Sequence, residues 1–135
     1  MGEANVVEEG VLVEGVACQP NISPAGVLRR RRFGAAGIVV AVAVTAGIVL
    51  GHARWPWVLV VFLPTLVAAL SLFQARRKTC VARANEGTFE HDDFSKTPAD
   101  AADVRRSRIV AGGIWRDSIL VGLAATALAV LATRL

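Results

Sequence analysis

The sequence predicts an all-α fold with three transmembrane helices, and three observations carry that prediction. Long uncharged runs occupy Phe33–Gly51, Trp57–Ala75 and Ser118–Thr133. Arginine and lysine gather at the ends of those runs, with Arg29, Arg30, Arg31 and Arg32 before the first and Arg76, Arg77 and Lys78 after the second. The composition is 54% hydrophobic over 135 residues, with a mean hydropathy of +0.52. Apolar residues blocked into runs, rather than spread periodically, mark a membrane protein rather than a soluble domain.

Residues 1–28 contain Glu3, Glu8, Glu9 and Glu14 and neither lysine nor arginine. Glycine and proline interrupt them throughout, so a largely irregular cytoplasmic tail is expected, with Val11–Val13 able to form one short strand. Val16-Ala17-Cys18 resembles a lipoprotein cleavage box only superficially, because no apolar region precedes it.

Residues 29–78 read as a transmembrane helical hairpin. Phe33–Gly51 approaches the roughly 20 apolar residues that a helix needs to span a bilayer. Within lipid the backbone must satisfy its own hydrogen bonds, which requires a helix. Small residues repeat at four-residue spacing in two stripes, Gly37-Ala41-Thr45 and Ala43-Gly47-Gly51. Such stripes allow close helix approach. Arg30–Phe33 before this run also resembles a twin-arginine export signal, but the long acidic segment ahead of it and the two further apolar runs argue against cleavage.

His52–Trp57 is the predicted turn. Trp55 and Trp57 are interface aromatics, Pro56 suits a first helical turn, and His52 is an interfacial polar residue. Pro64 falls inside the second span and predicts a kink or a local loosening of the helix. Gln74 lies near the end of that span, where it either bonds to a neighbouring helix or is solvated.

Residues 79–97 are expected to be a cytoplasmic loop, the helix continuing briefly past Lys78 and Glu90-His91-Asp92-Asp93 forming a solvated acidic stretch. Residues 98–135 are expected to be one long helix ending in the third span. Thr97 is its predicted cap and Pro98 its first residue, with a possible bend at Gly112-Gly113. Trp115 lies at the interface, Arg116 snorkels to the headgroups, and Ser118, Gly122 and Thr126 form another small-residue stripe.

Charge sets the expected orientation. Arg29–Arg32, Arg76, Arg77, Lys78, Arg83, Lys96, Arg105, Arg106 and Arg108 fall on one side, and only Arg54 and Arg134 on the other. The positive-inside rule then predicts a cytoplasmic N-terminus and an external C-terminus. It also explains the net charge of +4 without nucleic acid as a partner. Arg29–Arg32, Arg76, Arg77, Lys78, Arg105, Arg106 and Arg108 are expected to meet lipid headgroups.

Chemistry-bearing residues are sparse. Cys18 and Cys80 flank the helical hairpin on the same aqueous side. With His91, Asp92 and Asp93 they could ligate a soft or borderline metal, or the two thiols could form a redox pair. No C-x-x-C, H-E-x-x-H, P-loop or G-x-S-x-G motif is present. No acidic or basic residue lies at the middle of a span to relay ions.

Cys18-Gln19-Pro20-Asn21-Ile22-Ser23-Pro24, Arg29–Gly34, Phe62-Leu63-Pro64, and Phe73-Gln74-Ala75-Arg76 with Cys80 together resemble a family of small, uncharacterised bacterial integral membrane proteins. The resemblance covers about residues 18–80 and implies no activity. It directs attention to Cys18, Asn21, Gln74 and Cys80, at the cytoplasmic mouth of the helical hairpin. The expected function is that of a small inner-membrane accessory, interaction or assembly protein, without catalysis or cofactor, contacting lipid and either partner helices or a second copy. The alternatives are thiol or metal handling through Cys18 and Cys80, and a transporter subunit.

Overall fold

The computed structural model describes residues 11–13, 16–18 and 20–134; the side chains of 11–18 and of Trp55 lie outside that description. Strands β1 (Val11–Val13) and β2 (Val16–Cys18) pair antiparallel. Helix α1 spans Pro24–Leu50. A 3-10 helix, Trp55–Val61, leads into α2 (Phe62–Arg76). Helix α3 (Val81–Glu86), strands β3 (Thr88–Glu90) and β4 (Lys96–Pro98), and helix α4 (Ala101–Ala132) complete the chain. The fold is all-α in its architecture. Three helical segments, Pro24–Leu50, Pro56–Arg76 and Ala101–Ala132, are long and apolar enough to cross a membrane.

Helix α1 starts earlier than the charge pattern suggests. Ser23 caps it, its hydroxyl accepting from the Gly26 amide at 3.1 Å, and Pro24 takes the first turn, where a missing N–H costs nothing. The four arginines therefore lie on the helix, not ahead of it. Around Pro64 the second span departs from regular α-helical winding. The stretch before it is wound as a 3-10 helix and becomes α-helical only at Phe62. Because proline cannot donate to the carbonyl four residues back, the α-helical ladder is interrupted there.

Helix α2 stands between α1 and α4 and packs on both, whereas α1 and α4 barely touch. Glycines set the close approaches. A Cβ on Gly34 would stand 2.6 Å from Leu72, and one on Gly37 2.9 Å from the Ala68 Cβ. On the other side a Cβ on Gly122 would stand 2.8 Å from the Phe62 ring. Close packing of this kind replaces the hydrophobic driving force that is missing between helices in lipid. The hydroxyls of Thr45, Thr65, Ser118 and Thr126 each donate to the carbonyl four residues back, so none faces lipid unbonded.

The second predicted stripe has no such neighbour. Ala43, Gly47 and Gly51 are exposed, and a Cβ on Gly47 would meet nothing within 4 Å. Helix α4 runs through Gly112-Gly113 as one 32-residue helix. It buries Ser107, Val110, Ala111, Ile114, Ser118, Gly122 and Ala129 along one face.

Two apolar clusters close the ends of the bundle. Val81, Ala84, Val110, Ala111 and Ile114 pack at the end where α2 stops. Ile48, Val58, Val61 and Ala129 pack at the other, beside the turn after α1. The start of α1, the end of α2, α3, the β3–β4 pair and the first half of α4 therefore share one end of the molecule.

That end corrects two expectations. The helix expected to run on past Lys78 is a separate one, α3, and the acidic stretch after it, expected to be irregular, belongs to the β3–β4 hairpin. Gly87, at φ +71°, ends α3 in the left-handed conformation that glycine adopts freely. Thr97 and Pro98 belong to β4, paired with β3, so α4 starts three residues later than predicted, with Asp100 as its cap residue.

Candidate functional site

The polar mouth is built around two residues, Asn21 and Glu90. Asn21 is 4% exposed, and all its hydrogen-bonding groups are engaged. Its amide nitrogen Nδ2 donates to the Cys80 carbonyl at 3.1 Å, and its Oδ1 accepts from the Cys80 amide at 2.6 Å. Its backbone N–H donates to the Lys78 carbonyl and its own carbonyl accepts from the Glu90 amide. One side chain thus ties the segment before α1 to the link between α2 and α3, while its backbone reaches β3. Gln74 makes a second tie. Its Oε1 lies 3.3 Å from the Val81 amide and 3.4 Å from the Arg30 Nε.

Glu90, expected in a solvated acidic loop, is fully buried. Its Oε1 accepts from Arg30 Nη1 at 3.2 Å and lies 3.9 Å from Arg29. Its Oε2 accepts from Arg83 Nε at 3.2 Å. Burial works to raise the Glu90 pKa, but hydrogen bonds and charge from Arg30 and Arg83, with the nearby Arg29, outweigh it, and the carboxyl lies below its ordinary range. Arg83 also pairs with Glu86 at 2.8 Å, and Glu86 with Lys96 at 3.2 Å. Alternating charges therefore link α1, β3, α3 and β4. Gly26 makes room for this cluster, since a Cβ there would stand 2.6 Å from Glu90 Oε1.

Several arginines expected at headgroups are turned to these internal tasks. Arg30 is 9% exposed because Glu90 and the Gly26 carbonyl, at 3.1 Å, draw it inward. Arg29 stacks over Phe94 at 4.6 Å. Arg77 pairs with Asp117 of α4 and lies over the Phe73 ring at 5.7 Å. Asp117 also pairs with Arg116 at 3.0 Å, which offsets a carboxylate held within a span. Arg108 donates to the carbonyls of Ala84 and Asn85, and Arg106 lies 3.8 Å from Asp103. Arg31, Arg32, Arg76 and Arg105 remain exposed, as do Trp57 and Trp115.

Cys80 is buried and is the residue preceding α3. The Cys18 side chain, and with it any meeting of the two thiols, lies outside the described residues. His91 Nε2 lies 3.0 Å from the Thr97 hydroxyl and its ring packs edge-on to Phe89. Asp93 accepts from the amide and hydroxyl of Ser95, and these bonds hold its carboxyl below the ordinary value. Among the described residues, no group of three His, Cys, Asp or Glu side chains is placed to hold a metal ion.

Sequence reasoning found Asn21, Gln74 and Cys80 but missed the pairing of Glu90 with Arg30 and Arg83. A local signal existed. Gly87 followed by Thr88-Phe89 and, after a polar turn, by Lys96-Thr97 reads as a short hairpin. A strand places alternate residues on opposite faces, so Glu90 did not have to share the solvent with Asp92 and Asp93.

Comparison with protein-family models, with curated proteins and with solved structures finds no match.

Proposed function

We propose that this chain is a small accessory or assembly protein of a bacterial inner membrane, acting by packing against the helices of a partner or of a second copy. The open stripe Ala43-Gly47-Gly51 carries the reading. It is built for close approach, like Gly34 and Gly37, yet nothing within the chain occupies the space at Gly47. The mouth supports the same reading. Asn21, Gln74, Glu90 and Arg30 spend their bonding capacity on one another and on backbone, which makes a rigid frame rather than a reaction centre. The burial of Cys80 weighs against exchange of its thiol with metals or oxidants.

The bacterial setting rests on the resemblance carried by Asn21, Arg29–Gly34 and Phe73–Cys80. The orientation rests on charge asymmetry, which puts the mouth in the cytoplasm and the C-terminus outside. The deciding experiment is purification in mild detergent with identification of whatever accompanies the protein. The wild type is expected to hold a partner or a second copy, and Gly47→Leu to release it while remaining folded. A lone monodisperse wild-type species would overturn the proposal. A reporter fused after Leu135 is expected to signal outside the cytoplasm, and a cytoplasmic signal would reverse the orientation.

A further inference from the structure

A cavity of about 240 Å³ lies at the mouth between the start of α4, the β3–β4 hairpin and the segment before α1. Asp100, Asp103 and Ser107 line it from α4, and their i, i+3, i+7 spacing sets them on a single helix face. Phe89 of β3 and Pro98 of β4 line it from the hairpin, and Pro20 and Asn21 from the segment before α1. These walls are fixed in place. The Ala99 amide donates to the Gly87 carbonyl at 2.9 Å, and the Asn21 side chain is held by the Cys80 backbone.

The lining is one-sided in charge. It carries two carboxylates and no lysine, arginine or histidine. Asp100 precedes α4 without making a side-chain cap bond, and its carboxylate has no partner among the described residues. Arg106, the ion-pair partner of Asp103, stands 3.8 Å away, beyond hydrogen-bond range. Ser107 is 5% exposed, yet its hydroxyl has no hydrogen-bond partner among the described residues. A helical serine can return its proton to the carbonyl four residues back, as Ser118 does at 2.7 Å. A buried hydroxyl left unbonded gives up its water without return, so Ser107 marks a place where an incoming group completes the bonding. The rest of the wall, at Pro20, Phe89 and Pro98, is apolar.

We infer that this cavity takes one arginine side chain of a partner protein, its guanidinium at Asp100, Asp103 and the Ser107 hydroxyl and its aliphatic stem along the apolar wall. A guanidinium supplies five donors and no acceptor, which suits two carboxylates and a hydroxyl free to accept. A metal ion or a bare ammonium leaves the apolar wall uncovered, whereas an aliphatic stem covers it. Strand β4, which contributes Pro98, is exposed along its length and gives the carrier chain a surface to lie on. The site is a partner contact additional to the open stripe Ala43-Gly47-Gly51. It lies at the opposite end of α1 from that stripe, so a peptide titration of the isolated chain reports on it whatever the stripe does.

The test titrates the full chain in detergent micelles with an acetylated, amidated glycine peptide carrying one central arginine, followed by amide resonances. The wild type is expected to show saturable shifts at Asp103 and Ser107, and the same peptide with glutamine in place of arginine to show none. Asp103→Asn should weaken binding about fivefold, the loss of one charge-assisted hydrogen bond. Ser107→Ala, a nearly isosteric change, should weaken it about threefold. Asp93→Asn, an exposed carboxylate elsewhere at the mouth, should leave it unchanged. Arg106→Gln should tighten it about twofold by removing the competitor for Asp103, an effect that damage to the fold would not produce. Equal shifts from the arginine and glutamine peptides would overturn the inference, as would equal affinities of wild type, Asp103→Asn and Ser107→Ala. Guanidinium ion alone binding as tightly as the peptide would overturn it in favour of a small free cation, and magnesium displacing the peptide from Asp103 and Ser107 would overturn it in favour of a metal.

Discussion

At the mouth, Asn21 and Glu90 are held by residues 59 and 60 positions away in the chain, through bonds with defined donors and acceptors. In the bundle, Gly34, Gly37 and Gly122 are held by whatever fills the space that a missing Cβ leaves. The two regions therefore fail differently. Losing one partner at the mouth strands another buried polar group, which costs the full desolvation of that group. Losing a close contact in the bundle costs dispersion and packing, which a neighbouring side chain partly recovers.

The largest effect should come from Glu90→Gln. It leaves Arg30 buried beside a neutral amide and should destabilise the mouth by about 3 kcal/mol, by analogy with other broken buried ion pairs. Denaturation in mild detergent measures it, and a loss no greater than that of a surface mutation would remove Glu90 from the centre of this region. The same pair predicts a pH dependence. The folded pKa of Glu90 is depressed, so its contribution is complete above the unfolded value of about 4.3 and is lost as pH falls through the folded value. The stability gap between wild type and Glu90→Gln should be constant at neutral pH and close below about pH 4.3. A gap that widens on acidification would contradict the assignment.

Asn21→Ala comes next. It deletes both side-chain bonds to the Cys80 backbone and should cost about 2 kcal/mol, with faster amide exchange at Cys80 and Val81. Unchanged exchange there would show that the link after α2 holds its shape without Asn21. The smallest and most pointed comparison lies within α1. Gly37→Leu must displace Ala68 and should cost about 1–3 kcal/mol. Gly47→Leu meets open space and should change the stability of the isolated chain by less than about 0.5 kcal/mol. Equal costs at both positions would erase the distinction between an occupied and an open stripe.

Much of the bundle could be read from residue order. The Phe33–Gly51 and Trp57–Ala75 runs announced their helices, and Ser118–Thr133 announced the third. Which glycine stripe met a neighbour could not be read, because Gly37 and Gly47 obey the same spacing and differ only in where α2 passes. At the mouth, the resemblance and the polar character of Asn21 and Gln74 marked a place of interest without giving their partners. Arg30 looked no different from Arg31 or Arg32. On a helix each successive residue turns by roughly 100°, so a run of four arginines points around the axis, and only the position of Glu90 selects which of them is turned inward.

The sequence alone determined what depends on composition along a short window: three apolar helices, their basic flanks, and the turn at His52–Trp57 with Pro56 opening the next helix. These follow from backbone hydrogen bonding in lipid and from local conformational preference, which act within a few residues. Only the tertiary structure decided that Glu90 is buried, that Asn21 joins three segments, that Arg77 belongs to Asp117, and that Gly37 meets Ala68 while Gly47 meets nothing. Each of these depends on which distant element arrives alongside, and hydrogen bonds and ion pairs act only at contact range, so residue order along the chain carries no direct trace of them.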